Sequence, residues 1–142
     1  MAAQGKTSAM LEWAKSWPDL DGYLKLNAFV TQDGEASLAP VQNEAVLSRY
    51  IDGTALRQYT FQLRIMTLWS GGYDPVNEAA EEFAASWQDW VERQYDLGNL
   101  PDFGEANITG IEPVYNAPAL NFVYQDDGLA EYLIQAVVTY EE

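Results

Sequence analysis

The sequence predicts an α+β fold: an antiparallel β-sheet with a long amphipathic helix and a shorter, earlier helix packed on one face. Three observations carry this expectation. Asp74–Leu97 places Val76, Ala80, Phe83, Trp87, Trp90 and Val91 at steps of three and four, which is one apolar stripe along a helix. Residues 55–69 and 130–140 instead alternate apolar and polar positions in β-prone residue types. The elements also come in groups, helix, strands, long helix, strands, which argues against a parallel doubly wound sheet.

Taken in order, residues 1–7 are small and polar and are expected to be loose. A first helix is expected from Thr7 or Ser8, carrying Met10, Leu11, Trp13, Ala14 and Trp17. Pro18 ends it, because the residue before a proline avoids the helical region. Residues 23–31 read as a strand, with Leu24, Leu26, Ala28 and Val30 on one side and the turn Gln32-Asp33-Gly34-Glu35 after it. Residues 36–44 are mixed, contain Pro40, and read as a loop with one or two extended residues. Residues 45–51 read as a strand that Asp52-Gly53 joins, as a hairpin, to residues 55–69.

That long strand sets Tyr59, Phe61, Leu63, Ile65, Thr67 and Trp69 on one face, and Gln58, Thr60, Gln62, Arg64, Met66 and Leu68 on the other. The second face is polar but nearly neutral, and reads as a contact surface rather than a solvated one. Ser70-Gly71-Gly72-Tyr73 links to the long helix. There Asp74 is placed to cap the first N–H groups, Pro75 suits the first helical position, and Glu78, Glu81 and Glu82 complement the dipole. Gly98 is placed as a left-handed cap, and Pro101 blocks continuation. Residues 102–110 read as loop and 111–115 as a short edge strand broken by Pro113. Residues 120–125, the turn Asp126-Asp127-Gly128 and residues 130–140 form the best hairpin in the chain.

The length, 142 residues, suits a single domain, and 48% hydrophobic residues can build a core. The chain has no Cys and no His, which removes disulfides, thiolate chemistry, the commonest metal ligand and the commonest general base. No apolar run is long enough to span a bilayer and no secretory signal is visible, so a cytoplasmic origin is expected. Asp126 and Asp127 are adjacent and read as a turn rather than an ion site, and Glu78, Glu81 and Glu82 read as a solvated face rather than a hydrolase pair. Gly71-Gly72 lacks the lysine and spacing of a phosphate loop. No catalytic, cofactor or metal residues are therefore assigned, and an enzyme is not expected. Seven basic against 22 acidic residues give a net charge of −15, which repels nucleic acid and anionic membranes. Such a charge suits solubility, a channel that DNA passes without adhering, or a mimic of DNA.

The order of motifs from about Tyr50 onward resembles the tail-terminator or minor capsid (tail completion) proteins of long-tailed bacteriophages. The residues that carry the resemblance are Tyr50-Ile51-Asp52-Gly53 leading into Arg57-Gln58-Tyr59-Thr60-Phe61, and the helix with Phe83, Trp87 and Trp90-Val91-Glu92. They continue through Gly98-Asn99-Leu100-Pro101 to the closing hairpin with Asp126-Asp127-Gly128 and Tyr132-Leu133-Ile134-Gln135. The resemblance implies a structural virion protein of the tail or neck, made in the bacterial host cytoplasm. It implies a homo-oligomeric ring, typically a hexamer, that caps the tail tube and meets the head-side connector protein, with DNA passing through the lumen. Like charges around a ring oppose assembly, so subunit contacts have to bury area or pair Arg49, Arg57, Arg64 and Arg93. The candidate contacts are Gln58, Thr60, Gln62 and Arg64, with Gly71, Gly72 and the Asp33 and Asp126-Asp127 turns as axial candidates. The alternative is an acidic DNA-mimic inhibitor of phage origin. A mimic needs carboxylates at phosphate-like intervals along one face, whereas here they scatter over turns and helix ends.

Overall fold

A computed structural model describes residues 5–18, 24–28, 30, 33–71 and 74–142. In chain order the elements are helix α1 (Lys6–Ala14), strands β1 (Leu24–Leu26), β2 (Ala36–Val41), β3 (Val46–Arg49) and β4 (Ala55–Leu68), helix α2 (Asp74–Leu97), and strands β5 (Asn107–Pro113), β6 (Ala119–Tyr124) and β7 (Leu129–Glu141). A short 3-10 turn, Gln125–Asp127, joins the last two strands.

One sheet contains every strand among the described residues, in the order β1-β2-β4-β7-β5, with β3 also on β4 and β6 also on β7. β4 and β7 pair antiparallel over their whole length, from Leu56↔Glu141 to Leu68↔Leu129. β2 and β3 lie end to end along the outer edge of β4, with Val41 opposite Thr60 and Val46 opposite Arg57. β5 and β6 lie end to end along the outer edge of β7, with Pro113 opposite Ala136 and Ala119 opposite Leu133. The sheet is thus four long strands whose outer two are interrupted, at residues 42–45 and 114–118, with β1 added parallel to β2.

Both helices cover the same face. Phe61, Leu63 and Ile65 of β4 and Ala130, Tyr132, Ile134, Ala136, Val138 and Tyr140 of β7 are buried there, in one cluster with Trp13, Trp17, Ala84, Trp87, Trp90 and Val91. The tryptophans form its centre. Trp13 meets Phe61 edge-on at 6.1 Å between ring centroids, Trp87 at 5.9 Å and Trp90 at 4.8 Å, while Trp17 packs on Phe83 and Trp87, both at 5.4 Å. Offset and edge-to-face ring pairs add to the area they bury. The Trp13 indole N–H donates to the Asn99 carbonyl at 2.7 Å, and the Asn99 amide donates to Gln94 Oε1 at 2.8 Å and Ser16 Oγ at 3.2 Å. The end of α1 is therefore tied to the end of α2.

The end of α2 is the capped turn the sequence predicts. Gly98 has φ 76°, its N–H donates to the Tyr95 carbonyl at 3.1 Å, and the Asn99 N–H donates to the Gln94 carbonyl at 3.0 Å. These are the paired bonds of a Schellman motif, which need a left-handed residue at Gly98. Gly98→Ala is expected to cost roughly 1–2 kcal/mol, read as a lower urea midpoint with unchanged slope. The helix begins at Asp74, whose side chain, and with it the expected cap, lies outside the described residues.

Several expectations are corrected. α1 starts at Lys6 and ends at Ala14, so residues 6 and 7 are helical and Trp17 is not. The chain beyond Ala14 tightens, with Ser16 N–H on the Trp13 carbonyl and Trp17 N–H on the Ala14 carbonyl, as expected when Pro18 keeps Trp17 from the helical region. The strand expected over 23–31 is extended at Leu24–Leu26 only, because Asn27 takes φ 51° and breaks the run; residues 23, 29 and 31 lie outside the described residues. It is also parallel to its neighbour, where an antiparallel sheet was expected. Residues 36–44 hold more than the one or two extended residues expected: Ala36–Val41 is a six-residue strand. Ala36, Ser37 and Leu38 are buried on both faces of the sheet, so no alternation marks β2, and Pro40 sits beyond the reach of β1, where a missing N–H is tolerated. The expected strand 45–51 shortens to Val46–Arg49. β5 starts at Asn107, not 111, because a bulge between Ile108 and Gly110 turns both Ile108 and Ile111 inward and removes the period of two. The two hairpins, at Asp52-Gly53 and at residues 125–128, form as expected.

A hydroxyl pair also holds α1 to the sheet: Thr7 Oγ1 lies 2.6 Å from the Tyr59 hydroxyl oxygen. Burial raises the Tyr59 phenol above its ordinary value, with the Thr7 bond acting in the opposite sense. A raised phenol pKa means the stabilisation is fully present below the unfolded value of about 10 and is lost as pH rises through the folded value. The urea midpoint is expected to hold up to about pH 10 and to fall as pH rises above it, and to fall less in Tyr59→Phe.

Candidate assembly surface

Helices cover one face of the sheet, and the other carries none among the described residues. Strand alternation fixes what lies on that outer face. From β4 come Leu56, Gln58, Thr60, Gln62, Arg64, Met66 and Leu68, and opposite them from β7 come Glu141, Thr139, Val137, Gln135, Leu133, Glu131 and Leu129. β6 adds Phe122, opposite Glu131, and Tyr124, opposite Leu129.

The face divides into two parts. Its margin toward β2 is overlaid by connecting segments. The Ala28 N–H, from the link between β1 and β2, donates to Ser37 Oγ at 3.1 Å, and the Asn43 amide reaches Thr60 Oγ1 at 3.4 Å. Ser37, Thr60 and Met66 are consequently buried although they point away from the helices. The other part is apolar and open: Leu68 and Phe122 are each 55% exposed, Phe122 packs on Tyr124 at 4.7 Å, and Leu129 and Leu133 are half-buried beside them. Of the 22 acidic residues only Glu131 and Glu141 stand on the outer faces of β4 and β7. Glu131 is 5% exposed and accepts from the Asn121 amide at 2.6 Å. This apolar strip on a helix-free face, in a chain of charge −15, is the candidate contact surface.

The structure separates the expected contact residues. Gln62 and Arg64 stand half-buried on the outer face. Thr60 is 6% exposed and Gln58 donates to the Glu44 carbonyl at 2.6 Å, so both are occupied within the chain. Arg57 points to the helix side, where its Nε donates to the Glu142 carbonyl at 3.3 Å. The axial candidates do converge on one end of the sheet. The Gly34 N–H donates to the Met66 carbonyl at 2.9 Å and the Trp69 N–H to the Gly128 carbonyl at 2.8 Å, which brings the Asp33 turn, Gly71 and Asp126-Asp127 together. Gly71 lies against the Trp69 ring, which a Cβ there would meet at 3.1 Å, and Gly72 lies outside the described residues. What sequence reasoning missed is β7's contribution, Leu129 and Leu133, together with Phe122 and Tyr124. The signal was the run of apolar residues on the face opposite the obvious one.

Chemistry elsewhere is sparse. Among the described residues no three acidic side chains are grouped to hold a metal ion. Glu78, Glu81 and Glu82 stand exposed on the first turns of α2 beside Tyr132, whose phenol is raised by burial and by the charge of Glu81. Asp52 is held below its usual range by hydrogen bonds from the Thr54 hydroxyl and N–H. No helix among the described residues is long and apolar enough to cross a membrane. Comparison with models of known families and with curated proteins gave no match.

Proposed function

We propose that the chain is a structural virion protein, a tail terminator or head–tail joining subunit, that assembles with copies of itself into a ring on the end of a phage tail tube. The observation that carries the reading is the open strip of Leu68, Phe122, Leu129 and Leu133 on the helix-free face. Leaving such a strip in water is unfavourable, and a subunit interface removes it. The motif order from Tyr50 to Gln135 supports the family, and the net charge of −15 suits a lumen that DNA traverses without adhering. In this reading the work is done by contact, with the tube protein on one side and the head-side connector on the other, and no residue is asked to do chemistry.

The test is tube polymerisation. Purified protein added to polymerising tail-tube subunits is expected to cap one tube end, visible by negative stain, and to stop growth at that end. Tubes that grow unchanged, with no density at either end, would contradict the reading.

A further inference from the structure

We propose that the cleft over Tyr132, walled by Glu78, Glu81 and Glu82 at the start of α2, binds the guanidinium of an arginine side chain carried by a basic partner protein. The cleft lies on the helix side of the sheet, away from the strip of Leu68 and Phe122, and stands independently of the assembly reading.

The walls follow from the helix period. Glu78, Glu81 and Glu82 are spaced i, i+3 and i+4, so they share one side of α2 and stand exposed over its first turns. The helix dipole offers about half a positive charge there, well short of three carboxylates. None of the three has an ion pair or hydrogen bond among the described residues, and the chain's paired lysines serve Glu142, Glu12 and Glu35 instead. Asn77 closes one side in a fixed position. Its amide donates to the Ser70 carbonyl at 2.7 Å, and its Oδ1 accepts from the Ser70 N–H at 3.0 Å.

The floor marks the cleft as a site. Tyr132, on β7, is only 4% exposed and lines the cleft with these glutamates. Its hydroxyl has no hydrogen-bond partner among the described residues, yet it is not sealed from solvent as the Trp87 indole N–H is. The charge of Glu81 acts on it, so the hydroxyl of a buried ring is aimed into the cleft beside a carboxylate. Polar groups in buried side chains are rarely left without a partner, and here the partner has to come from outside the chain.

The shape of the site selects the occupant. The cleft measures about 460 Å³, and among the described residues no three acidic side chains are grouped to hold a metal ion. Carboxylates spread around such a space suit a larger cation with several donors. A guanidinium carries five N–H donors in a planar fork, enough for two carboxylates and the phenol oxygen, whereas an ammonium carries three. Charge selects the carrier. A chain of −15 attracts a basic protein and repels nucleic acid and anionic lipid, while a second copy brings the same −15 and is not selected by this site.

The probe is a short, otherwise neutral peptide with one arginine and blocked ends. It is titrated into the whole chain and followed by NMR shifts at Glu78, Glu81 and Tyr132, with thermal melting to report folding. Saturable shifts are expected, and none from the same peptide with citrulline, which keeps the shape without the charge. Tyr132→Phe removes only the hydroxyl and is expected to weaken binding about tenfold with the melting temperature nearly unchanged. Glu81→Gln is expected to do the same, while Glu105→Gln, which removes an equal charge at another exposed position, binds as the native chain does. Equal binding by the citrulline peptide or by Tyr132→Phe overturns the proposal, and so does a loss in Glu105→Gln as large as in Glu81→Gln. Tighter binding of calcium, spermidine or free arginine at the same signals overturns it too. Each of these failures leaves the assembly reading standing, and a chain that never assembles leaves this site standing.

Discussion

Trp87→Ala is expected to destabilise the fold by about 3–5 kcal/mol, a large share of the roughly 5–15 kcal/mol that holds a domain of this kind. Trp87 has no exposed surface, and its ring lies within 6 Å of Trp13, Trp17 and Trp90, so truncation opens a void where α1, α2 and β4 meet. The same site predicts a contrast. The Trp87 indole N–H is buried with no hydrogen-bond partner among the described residues. Trp87→Phe leaves a smaller void and also removes an unsatisfied donor, which offsets part of the loss. Urea unfolding is expected to show Trp87→Phe well above Trp87→Ala in midpoint. Equal midpoints would mean that the aromatic cluster is not where the stability sits.

Phe122→Asp is expected to abolish self-assembly while leaving the subunit folded. Phe122 is 55% exposed on the outer face and touches Tyr124, not the helix-side cluster. Exposed substitutions of this type usually change stability by less than about 0.5 kcal/mol. A carboxylate in the centre of an interface, by contrast, is buried without a partner and costs several kcal/mol. The expected result is a monomeric variant with native circular dichroism and melting temperature. Leu68→Asp is expected to behave alike, and a variant at exposed Glu92, on α2, is the control that assembles normally.

The parts of the fold legible in the sequence are those with local punctuation. The bounds of α2 follow from its apolar stripe and Gly98, and both hairpins follow from Asp-Gly between alternating runs. β2 was hidden because Ala36, Ser37 and Leu38 are buried on both faces, and β5 because its bulge moves Ile108 and Ile111 to the same side. The parallel pairing of β1 depends on where the link to β2 crosses the sheet, which no local pattern encodes. The candidate surface was legible by half. Alternation identified the outer face of β4, but Thr60 and Gln58 are taken up by residues 43 and 44, contacts set by the interruption between β2 and β3. The apolar partners on β7 and β6 emerge only when register places Leu129 beside Leu68 and Phe122 beside Glu131.

The most direct test of the central claim is the mass of the protein in solution, by light scattering at low and at physiological salt, with negative-stain images of the same samples. The account predicts rings of about six times the 15.9 kDa subunit, favoured at the higher salt that screens like charges and absent in Phe122→Asp. A monomer at both salts and at every concentration, identical for the native protein and the variant, would contradict it.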